Sequence, residues 1–123
     1  ETFCVLASKA KIGRFMYKIN FYVPESHLED VKQALFSAGA GRIGNYDSCC
    51  WQTKGLGQDR GRARWPHHTG QQGIVEQVEE YKVELVCSKK NLKQAIEALL
   101  KSHPYEEPAY EIYPIINPDE LMD

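Results

Sequence analysis

Apolar Tyr17, Ile19, Phe21 and Val23 alternate with Lys18, Asn20 and Tyr22, the two-residue period of a strand with one buried face. Beyond Pro24 the period lengthens. Leu28, Val31, Leu35 and Ala38 follow helical spacing, Ser26 with Glu29 three residues on predicts a capping box, and Gly39 ends the helix. Residues 46–53 are the best candidate for a second strand. Residues 76–86 form a third, in which Tyr81, Val83 and Leu85 alternate with Lys82 and Glu84. Leu92, Ala95, Ile96, Leu99 and Leu100 define a second helix, and residues 109–116 close the set as a fourth strand.

The two halves repeat. An offset of 64 positions aligns Tyr17-Lys18 with Tyr81-Lys82, Ile19 with Val83, Phe21 with Leu85, Leu28 with Leu92, Leu35 with Leu99, Phe36 with Leu100 and Tyr46 with Tyr110. No gap is needed, so residues 16–54 and 80–116 read as two copies of a strand-helix-strand unit. Two such units in one small chain predict an α+β, ferredoxin-like βαββαβ fold, with one antiparallel sheet and two helices on one face.

Composition narrows the function classes. A chain of 123 residues fits one domain, and a net charge of −2 gives no electrostatic case for nucleic acid or an anionic membrane. No stretch is long enough to span a bilayer, and residues 2–7 are too short and poorly flanked for a signal peptide, so a cytoplasmic location is the expectation. Residues 1–15 precede Met16, where the repeat begins; they are expected to be a tag remnant or an upstream extension, with a single domain over 16–123.

Residues 54–73 are rich in Gly and Arg and read as a long exposed loop. Gly55, Gly57, Gly61, Arg60, Arg62 and Arg64 could cradle an anion, but the phosphate-loop ending in Lys-Ser or Lys-Thr is absent. Adjacent His67 and His68 lack the spacing of a helical metal pair. Cys4, Cys49, Cys50 and Cys87 match no paired-ligand zinc pattern, leaving ordinary reduced thiols or a soft-metal site such as Cu(I). Trp51 and Trp65 suit packing or an interface.

Candidate chemistry concentrates in residues 103–114, where an imidazole, carboxylates and phenols lie between prolines that fix the backbone. Pro104 pushes His103 out of helical geometry, so the second helix should stop there and hand over to a stiff loop. His103, Tyr105, Glu106 and Glu107 are the candidate ligand-binding residues, joined by Tyr110 and by Tyr46, its mate in the repeat. His103, Glu106 and Glu107 could instead supply imidazole and carboxylate ligands to a divalent metal. A structural staple is the third option. No catalytic nucleophile-base set is visible.

Met16-Tyr17 through Ala40, the turn from Gly41 to Tyr46, the run from Val78 to Glu84 and above all the His-Pro-Tyr-Glu-x-Pro-Ala-Tyr segment at 103–110 resemble the small YqfO-type proteins. These are similar to the domain inserted in larger bacterial members of the Nif-three-like dinuclear-metal family. The resemblance covers about 100 residues, from Met16 to Ile116. It implies a CutA-like or PII-like fold, usually assembled as a homotrimer; the dinuclear metal ligands of the larger proteins lie outside this domain, so their metal site does not carry over to it. One segment departs from the pattern: after Gly55 to Gln58 the chain runs Asp59-Arg60-Gly61-Arg62-Ala63-Arg64-Trp65, and register returns at Gly73. A pair of compensating frameshifts would produce that local change.

The expectation is therefore a non-enzymatic, oligomeric regulatory or small-ligand-binding module with a small-molecule or protein partner. The alternatives are a divalent or soft metal-binding protein using His103 and nearby carboxylates and, more weakly, a metal-assisted hydrolase with Glu106 or Glu107 as base.

Overall fold

The computed structural model describes residues 16–62 and 73–122. Its elements are β1 (Met16–Val23), α1 (Glu25–Ser37), β2 (Trp51–Arg60), β3 (Val75–Ser88), α2 (Lys89–Ser102), β4 (Tyr110–Ile115) and a closing 3-10 turn, Pro118–Leu121. The strands form one antiparallel sheet in the order β2-β3-β1-β4, the βαββαβ arrangement expected from the repeat. The two repeated strands lie side by side, with Ile19 opposite Leu85 and Phe21 opposite Val83.

Alternation along β1 and β3 sends one set of side chains toward the helices. Ile19, Phe21, Val23, Val83, Leu85 and Cys87 meet Leu28, Val31 and Leu35 of α1 and Ala95 and Leu99 of α2 in a single core. Tyr110 and Ile112 of β4 pack at its margin. Gly39 takes φ +102 after α1, while Ala40 N–H bonds to Leu35 O at 3.0 Å and Gly39 N–H to Phe36 O at 3.1 Å, a Schellman ending.

Among the described residues no helix covers the other sheet face. At one end it is capped by the chain between Ala40 and Cys50, where Ile43 and Cys49 pack on Met16 and Val86. Gly41 anchors this segment: its N–H bonds to Val86 O at 2.7 Å, and its carbonyl accepts from Cys49 N–H at 2.8 Å.

Three local expectations change. The capping box does not form, because α1 begins two residues earlier than that box requires, at Glu25, with Pro24 rather than Ser26 as N-cap. Ser26 therefore lies inside the first turn and shares a 2.8 Å hydrogen bond with His27 Nδ1, and Glu29 engages Lys32 at 3.0 Å. The second strand lies at Trp51–Arg60 rather than 46–53, so residues 54–60 are strand, although exposed as expected. Tyr46 instead closes a tight turn with Ile43, through bonds of 2.9 and 3.0 Å. Asn20, on the polar side of β1, is buried. Residues 1–15 and most of the divergent segment lie outside the described residues.

Cys49, Cys50 and Cys87 are free thiols. Burial raises the Cys87 pKa to about 11, so this thiol is a poor nucleophile at neutral pH. Among the described residues no helix is long and apolar enough to cross a membrane.

Candidate functional site

Pro104 sets the local geometry of the 103–109 loop. His103 terminates α2 with extended backbone (φ −70°, ψ 139°), its N–H still bonded to Leu99 O at 2.9 Å. The imidazole turns inward and is 6% exposed. Nε2 donates to Tyr22 O at 2.6 Å, and Nδ1 accepts from Tyr105 N–H at 3.1 Å. Both bonds together require the neutral, Nε2-protonated tautomer. His103 thus ties the end of β1 to the loop, with the Tyr105 ring tilted against it at 5.0 Å.

Burial, then the neighbouring charge of His27, hold the His103 pKa below its ordinary 6.5, against the opposing pull of the Tyr22 carbonyl. Between the ordinary value and the lower folded value, the unfolded chain binds a proton that the folded chain refuses. This contribution to stability is full above pH 6.5 and is lost as pH falls through that window. Urea melts are therefore expected to show lower stability at pH 5.5 than at pH 7.5. A ring titration by NMR at or above 6.5 would contradict the assignment.

Tyr105 faces the β2–β3 hairpin. Burial, then the charges of Glu80 and Asp59, raise its pKa. Glu80 in turn lies over Gly57, where a Cβ would collide with its carboxylate, and burial followed by Asp59 raises its pKa. Glu106 and Glu107 are exposed at the loop surface, and Tyr110 stands opposite Phe21 at the core margin. His103, Tyr105, Glu106, Glu107 and Tyr110 are thus neighbours. Tyr46 is not: its turn partner Ile43 packs on Met16, whereas His103 holds Tyr22, about 20 Å along β1.

Among the described residues no three His, Cys, Asp or Glu side chains converge as a metal cage. A metal at His103 would have to displace either the Tyr105 amide or the Tyr22 carbonyl from the ring.

The helix-free face carries groups that sequence reasoning treated as ordinary surface. Register places Trp51, Glu84, Asn20 and Glu111 in one row across β2, β3, β1 and β4, with Lys82 and Tyr22 paired in the next. Lys18 Nζ bridges Glu84 at 2.7 Å. Tyr22 Oη donates to Glu111 at 2.7 Å, a bond that helps push the phenol's pKa up to about 12. Asn20 is 5% exposed, and among the described residues its Oδ1 has no hydrogen-bond partner. Alternation gave no warning, because an outward polar residue has the same pattern whether or not its neighbours cover it.

These features define a CutA- and PII-like domain of the ferredoxin-like α+β class. The chain superposes on CutA from Synechococcus elongatus with TM-score 0.63 at 18% identity, covering 91% of this chain and 86% of that one. It superposes on Bacillus subtilis GlnK, solved with ATP, with TM-score 0.56 at 18% identity, covering 82% and 83%. The chain is homologous to the inserted domain of the GTP cyclohydrolase 1 type 2 homologs, which are NIF3-related proteins. It is 41% identical over 107 residues to the homolog from Halalkalibacterium halodurans, covering 87% of this chain and 29% of that protein. The Bacillus cereus protein related to NIF3 superposes with TM-score 0.75 at 35% identity, covering 89% of this chain and 27% of that one. The chain therefore spans less than a third of the length of these relatives. No family model matches it.

Proposed function

We propose that this domain is a non-enzymatic, homotrimeric regulatory or small-ligand-binding module, with its ligand cleft at a subunit boundary. The observation that carries the reading is the uncovered sheet face. Trp51 and Tyr113 flank it at 48% and 49% exposure, and between them lies a buried Asn20 whose Oδ1 has no partner among the described residues. Such a face suits burial against further copies. The edges of the sheet formed by the described residues, β2 and β4, differ in length, and β4 contains Pro114, so a head-to-tail ring satisfies them better than a two-fold pair. The CutA- and PII-like fold supports the same arrangement.

The cleft in this reading is lined by Tyr105, Glu106 and Glu107, with His103 as its support and Tyr110 behind. Pro104 and Pro108 stiffen the loop and lower the entropy cost of presenting these groups. Cyclohydrolase chemistry is left to the remainder of the relatives' length.

Multi-angle light scattering is expected to give three times the chain mass of 14.1 kDa, and Trp51→Glu is expected to shift the population toward monomer. A concentration-independent monomer would defeat the assembly. In thermal-shift measurements with divalent metals and nucleotides, Glu106→Ala should abolish any stabilisation while leaving the trimer intact.

A further inference from the structure

The helix-free face contains a polar mismatch. Asn20 Oδ1 is buried and accepts nothing, although a buried amide oxygen without a donor costs about 1–3 kcal/mol. It sits between two carboxylates, Glu84 opposite it on β3 and Glu111 opposite it on β4. Each already has a donor, Lys18 and Tyr22 respectively. One row away on the same face, Lys82 is half-buried and, among the described residues, bonds to no acceptor. The face therefore offers an acceptor without a donor and an ammonium without an acceptor.

We infer that Asn20 and Lys82 form a register-setting contact between copies, with the Lys82 ammonium of one chain donating to the Asn20 amide oxygen of the next. This rests on the oligomeric reading above and names the pair that fixes it. Charge complementarity selects a second copy as the occupant. The face of every copy carries both signs, with Lys18 and Lys82 interleaved with Glu84 and Glu111, so the basic groups of one copy can meet the acidic groups of another.

The amide can make this contact by a half-turn about its last torsion. The turn exchanges the two atoms, so that Nδ2 takes the buried position, in a residue flanked by Glu84 and Glu111 whose Cβ atoms stand about 4.5–5.5 Å away across the strands, and Oδ1 takes the position Nδ2 leaves. A cation arriving there is drawn by Glu84 and Glu111 together. A buried polar contact of this type adds little net stability, but penalises every register in which it is unmade, as a lone buried asparagine does in coiled coils.

The test is a dilution series of the full chain by native mass spectrometry, comparing wild type, Asn20→Leu, Lys82→Met and the double variant. Each single substitution is expected to weaken assembly at least tenfold or to replace one stoichiometry with several. The double variant should be no worse than the poorer single. Asn20→Leu should leave the isolated chain as stable as wild type or more so in urea, because it removes an unpaired polar group, which separates an assembly defect from misfolding. A trimer that survives both single substitutions with unchanged stoichiometry and dissociation overturns the Asn20–Lys82 contact alone. Additive effects in the double variant also overturn it. A wild-type chain that stays monomeric at every concentration overturns this inference and the oligomeric reading together.

Discussion

Phe21→Ala is expected to lower the unfolding free energy by about 3–5 kcal/mol, read as a shift of the urea midpoint at unchanged slope. Phe21 is the largest fully buried side chain and lies at the centre of the sheet, between Val83 on β3 and Tyr110 on β4. Truncation removes the ring's transfer energy and leaves a cavity under both helices. The neighbours are held by strand pairing on either side, so they can relax only partly into the space. Domains are commonly stable by only about 5–15 kcal/mol, so the variant should be close to its unfolding transition at room temperature. A loss below about 1 kcal/mol would mean that the core repacks far more readily than this register permits.

Gly41→Ala should be the second severe lesion, at about 2–4 kcal/mol. Gly41 has φ +77, and a Cβ there would stand 2.8 Å from the Cys49 carbonyl and 2.9 Å from the Phe36 ring. One obstacle is backbone that Gly41 itself binds, and the other is an aromatic ring packed against the core, so neither yields easily. Gly44→Ala is the matched control. It has φ +57 but no heavy atom within 4 Å of the added carbon, so only the left-handed backbone cost, about 1 kcal/mol, applies. Urea melts of the two variants decide the matter. Equal losses would show that backbone conformation alone matters and that the Gly41 contacts are soft.

The elements best read from sequence are those with one buried face. β1, α1 and α2 each carry a periodic apolar stripe; β1 and α1 emerge within two residues of the boundaries expected for them, and α2 begins at Lys89, three residues before the first residue of its stripe. The stop at His103 was equally legible, because a proline constrains the residue before it whatever the tertiary context. β2 was not. Nearly every residue from Trp51 to Arg60 is exposed, so the strand is held by main-chain bonds to β3 and leaves no apolar period to detect. Ser26 and Glu29 had the right spacing for a cap, yet Pro24 takes the N-cap two residues before Ser26 and spoils their geometry.

The candidate site divides the same way. The prolines identified the loop as stiff, and its carboxylates do lie at the surface. They could not reveal that His103 turns inward to Tyr22, because a side chain's direction depends on a strand about eighty residues earlier. Asn20, Glu80 and Asp59 were passed over for a related reason. Their environment is created by strand register, which pairs residues far apart in the chain.

That register also governs how the chain can fold. β1 lies between β3 and β4, with Ile19 opposite Leu85 on one side and Ile112 on the other, so the earliest of these four strands in the chain cannot complete its pairing until the last of them has arrived. The β2–β3 hairpin can close early through neighbouring residues, but the central position must wait for long loops to be brought together at an entropic cost. During synthesis from the amino end, β1 therefore leaves the ribosome as an apolar strand with no mate. The interval before β3 and β4 emerge is when this chain is most exposed to aggregation.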